Sequence, residues 1–200
     1  KIIVPVRRVD EILTSLLTMV HRNTFVEGQP RINFVDEQLV KANIPINDHN
    51  RCEYLLAAHG GIVYESLNAT KMGVDEGHSD KFHYVDYNNL VKDPQNQLNL
   101  IYEFLGEEPF EHTFDNLSNE HREDDITTYG LGDMHEVHSK LEKVSTDPSK
   151  ILPASIIELY NHNKSNLEFW HHSGIVDTQS KIATSPVPID PKSKTYNLFS

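Results

Sequence analysis

Arg7 and Ser15, eight residues apart, are the first pair in this chain whose types and spacing suit a chemical task. A guanidinium offers charge in a fixed fork of donors and a hydroxyl adds a neutral donor, a combination that fits a phosphate group. Arg7 closes the run Lys1-Ile2-Ile3-Val4-Pro5-Val6, and the carboxyl end of a strand is where open α/β sheets bind ligands. After it, Val9, Ile12, Leu13, Leu16, Leu17 and Val20 recur at one-stripe helical spacing. At 100° per residue Ser15 lies roughly 130° from the centre of that stripe, beside Glu11 and Arg22, free to donate. The plainer alternative is that Arg7 and Arg8 are surface charges and Ser15 a solvated helix residue.

The elements that must position this pair follow from pattern. The opening β-branched run reads as a parallel strand buried on both faces, and the tight link Arg7-Arg8 makes strand and helix half of a βαβ unit. Since a buried strand rarely starts a domain, part of the domain is expected upstream of Lys1. A second helix is predicted around Asn50–His59, with Cys52, Leu55, Leu56 and His59 on one face and Gly60-Gly61 as its left-handed stop; residues 62–72 continue as another. Phe82–Tyr87 is the second strand. It leads through Asn88-Asn89-Leu90 to Asp93-Pro94, an N-cap with proline at the first helical position, and then to a stripe of Leu98, Ile101, Tyr102 and Leu105 closed by Gly106. Residues 107–150 are polar, with Asn119–Asp125 an acidic loop. Pro153 opens a helix carrying Ile156, Ile157 and Tyr160, and Leu167, Phe169 and Trp170 anchor the core late. The chain divides into one α/β domain over 1–176 and an extended tail over 177–200, rich in Ser, Thr, Pro and Lys.

Composition narrows the function classes. The 200 residues carry 18 basic and 30 acidic side chains, a net charge of −12, which excludes a generally basic nucleic-acid coat but allows a local cationic pocket. A hydrophobic share of 38% suits one globular core. Neither a membrane-spanning run nor a signal-peptide pattern is present. The single cysteine, Cys52, excludes an internal disulfide and fits a reducing, cytoplasmic compartment.

The segment KIIVPVRRVDEILTSLL (1–17) resembles the strand–helix element of the sulfotransferases that use 3′-phosphoadenosine-5′-phosphosulfate. In that family an Arg at the strand end and a Ser eight residues later hold the 3′-phosphate; the resemblance implies these roles for Arg7 and Ser15. A second segment, FHYVDYNNLVKDP (82–94) followed by LIYEFLG (100–106), is similar to the family's strand, Asp-Pro and Phe-Leu-Gly pattern, and implies that Tyr87 lies against the adenine. A looser likeness covers YGLGDMHEVHSKLEKVS (129–145), where His138, Lys140 and Lys143 are the basic residues and none matches a motif position. The resemblance implies a P-loop NTPase-like three-layer fold with a parallel sheet, incomplete at its amino end. It further implies transfer of a sulfuryl group to a hydroxyl or amine acceptor, a nucleotide sulfate donor as co-substrate, no metal, no nucleic-acid partner and an acceptor that is a small molecule, a glycan or a protein.

The family's phosphate-cradling glycine loop is not found in these residues, and no Gly-x-x-x-x-Gly-Lys-[Ser/Thr] occurs; loop and catalytic base are both expected upstream. Two other classes therefore stay open: a P-loop nucleotide kinase, which would need Mg²⁺ and a carboxylate, and a non-catalytic α/β binding module. The 12 histidines, His135 and His138 among them, have no partner at zinc-site spacing and read as surface groups. Cys52 reads as a buried small hydrophobe.

Overall fold

The computed structural model describes residues 1–23, 28, 31–119, 123–132, 134–144 and 146–172; the proposed tail over 177–200 lies outside them. The described chain is mixed α/β, with helices around a small parallel sheet. Strand β1, Ile2–Val6, passes through Arg7-Arg8 into helix α1, Val9–Arg22, whose Leu13 and Leu17 are fully buried. Helix α2, Phe34–Lys41, was not expected from the sequence. It is short, capped by the Asn33 side chain, and buries Val35 and Leu39 one turn apart. Helix α3, Asp48–Leu55, joins it through Arg51, whose Nε and Nη2 donate to the two oxygens of Asp36 at 2.7 and 2.8 Å.

The α3 helix ends before His59, which is exposed, so the predicted Asn50–His59 face is cut short. The two glycines instead serve the start of helix α4, Ile62–Asp75. Gly60 takes a φ of +85°, and a Cβ on Gly61 would stand 2.5 Å from the Ala57 carbonyl oxygen. Strand β2, Phe82–Asp86, pairs parallel to β1 with Ile2 opposite Phe82 and Val6 opposite Asp86. Helix α5, Tyr87–Lys92, replaces the expected link, so Tyr87 is a helical residue and not the last of the strand. Helix α6, Pro94–Leu105, stops at Gly106 in the left-handed region as expected. Its buried positions are Gln97 and Leu100, and Leu105 is exposed; the inward face lies to one side of the predicted stripe. Helix α7, Asp125–Tyr129, begins at the end of the predicted acidic loop. Helices α8, Ala154–Leu167, and α9, Phe169–His172, close the described chain.

The core gathers Val6, Val9, Leu13, Leu17, Cys52, Leu55, Tyr84, Ile156, Tyr160 and Trp170, with α1, α3 and α8 packed against one another. Every residue of β2 is buried, but β1 is not the doubly covered strand its composition predicts: Ile2 and Ile3 are 51% and 40% exposed. Among the described residues β1 pairs along one edge only. That is also the position where Pro5, which lacks an N–H, is tolerated.

Candidate functional site

Register creates the site. Because Val6 stands opposite Asp86, the residues that leave the two strands at their carboxyl ends are Arg7 and Tyr87. Asp86 fixes the second of these: its carboxylate accepts the Asn89 N–H at 3.0 Å and caps α5, so Tyr87 sits at the first helical position. The guanidinium of Arg7 then lies over the Tyr87 ring, 4.1 Å from its centroid, a cation–π geometry.

Two further groups hold the guanidinium, Glu11 and the backbone of Val144. Arg7 Nε donates to Glu11 Oε2 at 2.9 Å, and the two side chains are only 18% and 13% exposed. Nη2 donates to the Val144 carbonyl at 3.1 Å, while the Val144 N–H reaches the Tyr87 hydroxyl at 3.3 Å. One backbone residue thus touches both members of the pair. Glu11 stands at i+4 from Arg7, a spacing that could have signalled the ion pair; Val144 is a purely tertiary neighbour. Among the described residues these bonds use one N–H each on Nε and Nη2 of the five a guanidinium carries, which leaves Nη1 for an incoming anion.

Ser15 is exposed on α1, as its angular position predicts. It lies one turn beyond Glu11, about 6 Å further along the axis, so Arg7 and Tyr87 are brought together while Ser15 stands outside their contact. An anion shared by Arg7 and Ser15 would pass beside the Glu11 carboxylate. The carboxyl half of β1 also lines a cavity of about 360 Å³, walled by Ile12, Leu16, Val63, Leu67 and Trp170. Among the described residues Arg7 is the charged group in that wall.

Arg8, next in sequence, is committed differently. It pairs with the carboxylate of Asp10, which is 5% exposed. That hydrogen bond, with the nearby Tyr160 hydroxyl adding to it, raises the guanidinium's proton affinity further. Tyr160 donates to Glu168, and the same Glu168 oxygen accepts the Val9 N–H at 3.3 Å. Burial, with Glu168 alongside, pushes the Tyr160 hydroxyl well above its ordinary range. Asp10 and Glu168 therefore supply acceptors at the amino end of α1, where backbone donors have no helical partner.

Of the remaining candidates, Lys143 and His138 are exposed, and Lys140 reaches Asp115 at 3.5 Å. Cys52 is fully buried, and burial pushes its thiol up to about 12, far from the range of a reactive thiolate. His135 is exposed, as the surface reading has it, and its Nδ1 meets Asp125 at 2.7 Å and Glu123 at 3.5 Å. His135 and His138 share no helix. No helix among the described residues is long and apolar enough to cross a membrane. Compared with known proteins, the chain matches no family model, no curated protein and no solved structure.

Proposed function

We propose that the chain belongs to a sulfotransferase using 3′-phosphoadenosine-5′-phosphosulfate, with Arg7 binding the 3′-phosphate, Tyr87 packing on the adenine and Ser15 adding a hydrogen bond. The observation that carries this reading is the contact of Arg7 with Tyr87 at the carboxyl ends of two adjacent parallel strands. In that contact a fork of donors lies over an aromatic ring, and the two together supply the two chemistries a nucleotide with an added phosphate requires. Glu11, through Nε, orients the fork so that its Nη edge meets the anion. The three-layer P-loop-type fold and a cytoplasmic setting belong to the same reading.

In the reaction, the acceptor's oxygen or nitrogen attacks sulfur in line as the bond from sulfur to the 5′-phosphate oxygen breaks. Negative charge grows on the departing phosphate, so positioning and electrostatic stabilisation supply most of the acceleration. Arg7 and Tyr87 contribute positioning, by holding the nucleotide end remote from sulfur. A second reading has its own support: with Glu11 and Val144 as partners, Arg7 is a staple between α1 and the segment at 144.

Calorimetry with adenosine 3′,5′-bisphosphate and adenosine 5′-monophosphate separates the two. Tighter binding of the bisphosphate, by at least about tenfold for one charge-assisted contact of roughly 1.5–3 kcal/mol, is expected. Equal affinity, or no binding, would leave Arg7 as a staple and remove the nucleotide reading.

A further inference from the structure

We propose that Glu123, Asp125 and His135 form a binding site for a divalent cation of the zinc class. The proposal is independent of the nucleotide reading and concerns a different part of the surface. His135 Nδ1 lies 2.7 Å from Asp125 Oδ1 and 3.5 Å from Glu123 Oε2, and one ligand atom from each of the three residues lies within 4.8 Å of the others. Around a tetrahedral zinc ion, bonds of 2.0–2.1 Å put neighbouring ligand atoms about 3.3 Å apart. The two separations from His135 Nδ1 bracket that spacing, so side-chain shifts of under an ångström bring them to it.

The backbone that brings them together is fixed from outside the cluster. Asp125 opens α7, Glu123 precedes it by two residues, and the chain returns to His135 through Gly130 at φ +69°. A Cβ on Gly130 would stand 2.3 Å from the Ile32 carbonyl oxygen, so the turn is seated against the residues leading into α2. Asp125, 7% exposed, accepts the His135 backbone N–H at 2.8 Å with its other oxygen, and the Tyr129 ring packs on the imidazole at 5.3 Å. Support of this kind fixes ligands before the metal arrives.

An ion pair between His135 and Asp125 accounts for those two groups alone. A second carboxylate, Glu123, converges on the same nitrogen, so two negative charges face one imidazole, an arrangement that a dication on the deprotonated nitrogen would neutralise. One nitrogen and two carboxylate oxygens, with an exposed side left for water, suit zinc's four-coordinate preference. Mg²⁺ and Ca²⁺ require six or more oxygens, and three converging atoms including an imidazole supply too few.

The test is a zinc titration, by calorimetry at neutral pH, of the full chain after treatment with chelator. The unaltered chain is expected to bind zinc, and His135→Ala and Glu123→Gln should each weaken its tightest site at least about tenfold. Glu123 is 62% exposed, so its substitution reports on the site and not on packing; His138→Ala should leave the affinity unchanged, and Mg²⁺ should not compete. Absence of zinc binding, or retention of wild-type affinity by either Glu123→Gln or His135→Ala, overturns the proposal.

Discussion

Arg7 and Arg8 are neighbours in sequence and opposites in use. Arg8 turns to the amino end of α1, where Asp10, Tyr160 and Glu168 form a polar network among residues 2–5% exposed, apart from the arginine itself. Arg7 turns to the ends of the strands, where an aromatic face, a carboxylate and one carbonyl hold it and donors remain. In the first network the buried Tyr160 hydroxyl and Val9 N–H both meet Glu168 and the buried Asp10 carboxylate meets Arg8, which is how buried polar groups avoid the cost of burial. The second holds a cation in a defined orientation without exhausting it, which is what a binding group needs. Charge and position in the sequence do not distinguish the two; the partners do.

The comparison can be broken first at its structural side. Glu168→Ala removes the acceptor shared by the Val9 N–H and the Tyr160 hydroxyl. Each buried donor so stranded costs about 1–3 kcal/mol, so thermal unfolding should show the largest loss of stability among these variants, roughly 2–6 kcal/mol in all, whereas Glu168→Gln should recover much of it. On the binding side, Ser15→Ala is expected to weaken adenosine 3′,5′-bisphosphate by about 1 kcal/mol, the contribution of a neutral hydrogen bond, with unfolding unchanged because Ser15 is exposed. Tyr87→Ala should cost about 0.5–1.5 kcal/mol of nucleotide binding beyond lost area. Tyr87→Phe gives the smallest effect, since it keeps the ring and loses only the 3.3 Å bond from Val144. If Phe proves as damaging as Ala, the hydroxyl and not the ring is what matters at that position, and the adenine role fails.

These residues also mark how far a sequence can be read. The first strand, α1, β2 and the proline-led start of α6 were legible because each rests on local rules: β-branched runs, an uninterrupted helical stripe, and proline at the first helical position, although the Asp93 side chain makes no capping bond there. Helix α2 was missed because eight residues carry only two fully buried apolar positions, Val35 and Leu39, too few to stand out as a period. The exposure of Ile2 and Ile3 was misjudged because composition reports a strand's preference and not which of its edges is covered. In the site, Arg7 and Tyr87 were found as types, but their contact depends on the parallel register of β1 and β2, which no local pattern encodes. Glu11 was available at helical spacing. Val144 was not, since its contribution is a backbone carbonyl and N–H brought from far along the chain. The same holds for His135, whose carboxylate partners lie 10 and 12 residues earlier, across the turn at Gly130.

The central claim is that Arg7 binds and Arg8 builds, and one calorimetric comparison tests it directly: the affinity of Arg7→Ala and Arg8→Ala for adenosine 3′,5′-bisphosphate and for adenosine 5′-monophosphate, on folded protein. Arg7→Ala should lose tenfold to a hundredfold or more in bisphosphate affinity, for a charge-assisted bond of roughly 1.5–3 kcal/mol. It should also abolish the preference over the monophosphate, and Arg7→Lys should restore only part because the ammonium lacks the fork. Arg8→Ala should lower the melting temperature and leave that preference intact. Loss of the preference in Arg8→Ala with its retention in Arg7→Ala would reverse the assignment and contradict the account.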